Sequence, residues 1–118
     1  MMRVISCALL FFCQQVTANE VKVVDVKIHN NTSGKARVDV TLLHGDTGWD
    51  HYADGWDILD SNKQLIATRV LHHPHESEQP FTRSLRSVAL PAGAAFIYIR
   101  GHDKVHGYGE LYKVNIKK

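Results

Sequence analysis

The sequence predicts an all-β protein folded as a seven-stranded antiparallel β-sandwich. Short segments rich in valine and isoleucine alternate apolar with polar residues, which is the period of a half-buried strand. Turn signals built from Gly, Pro, Asn, Asp and Ser separate these segments about every ten residues. Almost no segment shows the apolar period of a helix. The chain is therefore expected to bury its core between two sheets.

The first three predicted strands carry the clearest patterns. Segments 20–28 (EVKVVDVKI) and 36–44 (ARVDVTLLH) place branched apolar residues on one face and charged residues on the other. Segment 52–59 (YADGWDIL) carries Trp56 and Ile58 on one parity, so both are expected in the core.

Four further strands complete the set, at 64–71, 82–90, 95–101 and 110–116. The turn DSNK precedes the first of them, and the turn PAG follows the second. Seven strands in about 100 residues resemble the fibronectin type III or immunoglobulin-like pattern. The Cys…Trp…Cys spacing of true immunoglobulin domains is missing.

Residues 1–18 have the pattern of a secretory signal peptide. A basic start at Arg3 is followed by the apolar run 4–12 and by small residues up to Ala18. The run is far shorter than the roughly 20 apolar residues that cross a bilayer. Cleavage after Ala18 is expected to leave an exported domain, residues 19–118, without a membrane span.

The cysteines and the charge exclude several classes of protein. Cys7 and Cys13 both lie in the predicted leader, so no disulfide is expected in the exported domain. A lipoprotein signal at Cys13 is disfavoured because Phe11 and Phe12 stand where small residues are required. The formal net charge is only +2 with neutral histidines, which gives no electrostatic case for a nucleic-acid partner.

Seven of the eight histidines are expected at one end of the sandwich. Chain direction reverses at every connection, so the loops after the second, fourth and sixth strands share that end. These connections carry His44, His51, His72, His73, His75, His102 and His106, whereas His29 belongs to the other end.

This histidine-rich end predicts a transition-metal site. The candidate ligands are His44, His51, His73, His75 and His106. In an extended segment His73 and His75 point to the same side across Pro74, which makes them the first choice. Without thiolate or thioether, Cu(II) or Zn(II) is the expected cofactor. The carboxylates expected to orient the imidazoles are those of Asp46, Asp50 and Asp103.

Three motifs resemble a family of small exported bacterial proteins that has no established activity. They are DTGWDHYADGWDILD, HPHESEQPFTRSL and VHGYG, and the resemblance covers nearly the whole exported domain. It implies a periplasmic or secreted protein. It also implies that the recurring histidines are His44, His51, His73, His75 and His106, with His72 and His102 at variable positions.

The expected function is metal carriage, buffering or sensing rather than enzymatic turnover. No serine has the context of a nucleophile elbow, and a small sandwich offers little depth for the cleft of a metalloenzyme. One alternative is a metal-free module that binds a glycan or another exported protein through the same loops and Trp49. The other is a purely structural network of histidines and carboxylates.

Overall fold

A computed structural model describes residues 20–30 and 34–116, and the predicted signal peptide lies outside these residues. The described chain forms eight β-strands: Lys22–Asn30 (β1), Ala36–Leu43 (β2), Ala53–Leu59 (β3), Leu65–Val70 (β4), Phe81–Val88 (β5), Phe96–Asp103 (β6), Gly107–Tyr108 (β7) and Tyr112–Asn115 (β8). Within these ranges no helix has the length and apolar character needed to cross a membrane.

The strands form two antiparallel sheets. One has the order β1-β2-β5, and the other has the order β4-β3-β6-β7, with β8 also paired to β6. The predicted all-β sandwich is therefore confirmed, but the predicted count of seven strands is wrong, because a short additional strand, β7, forms within the connection predicted between the sixth and seventh strands.

The segment between β7 and β8 packs closely against Val21. Between β7 and β8 the chain keeps one ladder-like bond, from the N–H of Gly109 to the carbonyl of Gly101, at 2.9 Å. The buried Val21 packs against both glycines. A Cβ at Gly101 would overlap the side chain of Val21, and one at Gly109 would overlap its carbonyl oxygen. This close approach between distant parts of the chain leaves no trace in the local apolar pattern.

Alternate residues of β2 and β6 face the core, and the same alternation buries one polar residue beyond each apolar stripe. In β2 the buried residues are Ala36, Val38, Val40 and Leu42, and in β6 they include Ile97 and Ile99. Continuing the same parities leads from Leu42 to His44 and from Ile99 to Asp103. These two polar residues are only 2% and 0% exposed. Each core stripe thus ends in a buried ionisable side chain at the same end of the sandwich.

Candidate functional site

The carboxylate of Asp103 joins the loops at this end. Its Oδ1 accepts the backbone N–H groups of His106 and, at 2.8 Å, of Val105. Its Oδ2 faces three imidazole nitrogens: Nε2 of His44 at 3.0 Å, Nε2 of His51 at 3.4 Å and Nδ1 of His106 at 3.3 Å. One buried oxygen therefore gathers histidines from the β2–β3 and β6–β7 connections.

His44 lies between two buried carboxylates. Its Nδ1 is 2.5 Å from Oδ1 of Asp46, and its Nε2 is 3.0 Å from Oδ2 of Asp103. A neutral imidazole carries one N–H, so it can donate to only one of these acceptors. The second contact is favourable only with a second proton on the ring or with a cation at one nitrogen.

Asp46 connects this histidine to a third loop. Its Oδ1 also accepts the N–H of Ala53 at 3.1 Å, and its Oδ2 accepts the N–H of His75 at 2.6 Å. The β2–β3 loop is thereby tied to the start of β3 and to the β4–β5 connection. The three connections that were expected to share one end are joined here by side-chain hydrogen bonds.

Neighbouring groups keep the carboxyl group of Asp103 ionised. Burial alone would raise the pKa of this carboxyl group, but the backbone N–H groups of His106 and Val105 and the ring of His44 together lower it. The group therefore carries its negative charge at neutral pH, deep in the end of the sandwich.

The ligand atoms of His44, His51 and Asp103 all lie within 4.8 Å of one another. The two oxygen–nitrogen separations of 3.0 and 3.4 Å are close to the roughly 3.4 Å between ligands of a tetrahedral ion with bonds of about 2.0–2.1 Å. The ring of His106 lies next to that of His51, with the two centroids 5.0 Å apart. Asp103 is therefore a candidate ligand in addition to the histidines. Asp46 contacts the other ring nitrogen of His44, where it can accept a hydrogen bond that orients the imidazole.

His73 and His75 lie outside that set. His75 is buried and its ring stacks on Phe81, with centroids 4.0 Å apart and an interplanar angle of 11°. His73 is exposed, with its ring centroid 4.9 Å from that of His75. Burial, followed by the positive charges of Arg83 and His73, lowers the pKa of His75, so its ring is neutral at pH 7.

The remaining histidines are placed elsewhere. His102 lies in β6 with the opposite parity to Asp103, and its Nδ1 is 2.6 Å from Oδ1 of Asp54. His29 contacts Asp39 at 3.0 Å, and His72 is exposed. The structure thus does not bring these three rings to Asp103.

The two other predicted site residues lie on the surface of the β2–β3 loop. Asp50, which was expected to orient an imidazole, is exposed. Trp49 is 63% exposed, and its ring meets that of Tyr52 edge-on at 5.7 Å. Trp49 therefore presents an aromatic surface beside the histidine cluster.

Sequence reasoning ranked Asp103 behind the histidines, although a signal for its position was present. Asp103 shares the odd parity of Ile97 and Ile99, and His44 shares the even parity of Leu42. Extending the β2 stripe by one step, and the β6 stripe by two steps past Gly101, would have placed both side chains in the interior.

Comparison with known proteins gives one informative similarity. The chain is 38% identical over 95 residues to a protein of Halomicrobium mukohataei named "Putative lipoprotein". The match covers 80% of this chain and 46% of that protein, so the chain spans about half the length of this relative. The relative's name states no activity. No protein-family model and no solved structure matches the chain.

Replacing Asp103 tests its structural importance. Asp103→Asn keeps an oxygen for the two backbone N–H groups but turns an amide towards the imidazoles. We expect the free energy of unfolding in urea to fall by about 1–3 kcal/mol. The matched control is Asp50→Asn, an exposed position expected to change it by less than about 0.5 kcal/mol. Equal effects of the two substitutions would contradict the central place of Asp103.

The lowered pKa of Asp103 also predicts a pH dependence. The folded carboxylate keeps its charge below the usual aspartate value of about 3.9, which applies in the unfolded chain. The contribution of this carboxylate to the free energy of unfolding is therefore complete above the unfolded-state pKa. It is lost as the pH falls through the pKa of the folded state. Urea unfolding between about pH 5 and pH 2 should show the stability gap between wild type and Asp103→Asn narrowing. A stability difference between the two proteins that widens as the pH falls would contradict the lowered pKa of Asp103.

Proposed function

We propose that this protein binds Zn(II) or Cu(II) at the loop end of the sandwich, through His44, His51, His106 and Asp103. The observation that carries the proposal is the buried Oδ2 of Asp103, which has imidazole nitrogens at 3.0, 3.3 and 3.4 Å. Imidazole and carboxylate suit both ions, and the absence of cysteine and methionine from residues 20–118 disfavours Cu(I).

Charge supports a cation at this position. Asp46 and Asp103 are buried on either side of His44, and removing charged groups from water costs several kcal/mol unless they are paired. A divalent ion at Nε2 of His44 would face Asp103 while the Nδ1–H donates to Asp46. This carboxylate–histidine–metal order is common in metalloproteins and raises the basicity of the ligand.

The exposure of the ligands favours carriage, buffering or sensing. The side chains of His44 and Asp103 are fully buried, whereas those of His51 and His106 are 17% and 38% exposed. An ion can therefore enter and leave by movement of two outer imidazoles while the inner pair stays in place. The predicted leader and the name of the 38% identical relative support an exported or cell-envelope setting.

Metal-dependent stabilisation tests the proposal. Zn(II) or Cu(II) at about 100 times the dissociation constant should add about 2.7 kcal/mol of stability, which raises the melting temperature by roughly 10 °C or more in a domain of this size. The double variant His51→Ala/His106→Ala should lose most of this rise and keep the fold, because both rings are partly exposed.

The matched control is His72→Ala, which removes an exposed loop histidine outside the cluster and should retain the rise. If His72→Ala and the double variant respond to metal alike, the proposed ligand set is wrong.

A metal-free interaction module is the second candidate, and the exposed Trp49 favours it. The indole meets the ring of Tyr52, and Nζ of Lys104 lies 5.5 Å from the centroid of that ring and 3.4 Å from the backbone oxygen of Trp49. An exposed aromatic ring next to a cation is suited to a sugar ring or a peptide side chain.

The two tryptophans allow a direct test of this candidate. Trp56 is 1% exposed, so a shift of tryptophan emission on adding cell-envelope polysaccharide would report on Trp49. The module predicts such a shift in the wild type with or without chelator, and its loss in Trp49→Phe. An unchanged emission spectrum over the whole titration would exclude glycan binding at this surface.

A further inference from the structure

His75 is buried without a hydrogen-bond partner for its ring. Its side chain is 5% exposed, and neither Nδ1 nor Nε2 has a partner among the described residues. The nearest carboxylate oxygen, Oδ2 of Asp46, is 3.9 Å from Nδ1, beyond hydrogen-bond length. Buried polar groups in folded proteins are almost always paired, and an unpaired one often marks the position of an ion or a water.

The ring of His75 is nevertheless held in one orientation. It stacks on Phe81, and its backbone is fixed on both sides by hydrogen bonds, from its N–H to Asp46 and from Nε2 of Gln79 to its carbonyl. Ordering such a ring during ligand binding costs little, because the fold has already ordered it.

His73 supplies a second imidazole on the solvent side. Its ring centroid is 4.9 Å from that of His75, and the planes differ by 39°. Pro74 between them restricts the backbone, so the two rings stay near each other. Each ring nitrogen lies about 1 Å from its centroid, so rotation of the exposed His73 ring can bring one of its nitrogens towards the roughly 3.4 Å separation of two ligands on one ion.

We propose that His73 and His75 form a second binding site for a divalent transition-metal ion, Zn(II) or Cu(II), separate from the ion at Asp103. Water completes the coordination on the exposed side of His73. The site does not require the first ion, because it shares no ligand with it.

Asp46 links the two sites. Its Oδ1 is 2.5 Å from Nδ1 of His44, and its Oδ2 faces Nδ1 of His75. With a metal at the Nε2 atom of each ring, both Nδ1–H groups point at this one carboxylate. The same orienting contact that supports His44 is thereby available to His75.

The experiment is a Zn(II) titration of the full exported domain, followed by native mass spectrometry and by long-range ¹H–¹⁵N correlation of the imidazole nitrogens. Wild type should take up two ions, with shifts at His73 and His75 in addition to those at the first site. His73→Ala should take up one ion, since at least a tenfold loss of affinity is expected at the second site. His72→Ala is the matched control and should still take up two.

The double variant His51→Ala/His106→Ala separates this inference from the proposed function. If it keeps one ion, with shifts confined to His73 and His75, the second site stands, even if the wild type also takes up only that one ion and the first site does not exist. If the wild type takes up a single ion that His73→Ala retains and the double variant loses, or that both variants lose, the second site is overturned. A wild type that takes up no zinc would overturn both proposals.

Discussion

The end of the sandwich depends on the buried series Asp46–His44–Asp103. Two carboxylates, each without contact with water, share one imidazole, and between them they accept backbone N–H groups from the start of β3 and from the β4–β5 and β6–β7 connections. The residues from 20 to 118 contain no cysteine, so no disulfide can order these loops. A network of this kind fixes geometry only if its members are satisfied, because an unpaired buried charge costs more than the network contributes. The function therefore depends on which positive charge pairs with these two carboxylates.

The fold explains why these residues meet. The apolar stripes of β2 and β6 lie in different sheets and face each other across the core, and each is extended by one polar residue at the same end. His44 and Asp103 thus meet where two core stripes end, whereas His51 and His106 reach the same oxygen from the connections after β2 and β6. Under the proposed function, this buried pair would stay in place while the two partly exposed imidazoles move to admit or release the ion.

Much of this architecture is accessible from sequence, because strand alternation is a local property. The positions of β2 and β3 follow from it closely. The short strand β7 and the close packing of Gly109 against Val21 do not, since Val21 is distant in the sequence. Sequence reasoning also favoured His73 and His75, because adjacent histidines are visible in a linear pattern. The parity of Asp103 is readable from the sequence, but its meeting with His44 and His51 depends on the arrangement of distant parts of the chain, which only the folded structure shows.

The measurement that tests the central claim most directly is X-ray absorption spectroscopy at the zinc edge of the protein loaded with one equivalent of Zn(II). The account predicts four nitrogen or oxygen neighbours at about 2.0–2.1 Å, with multiple-scattering features from three imidazole rings and no sulfur shell. A spectrum of hydrated zinc, with six oxygen neighbours and no imidazole scattering, would contradict it.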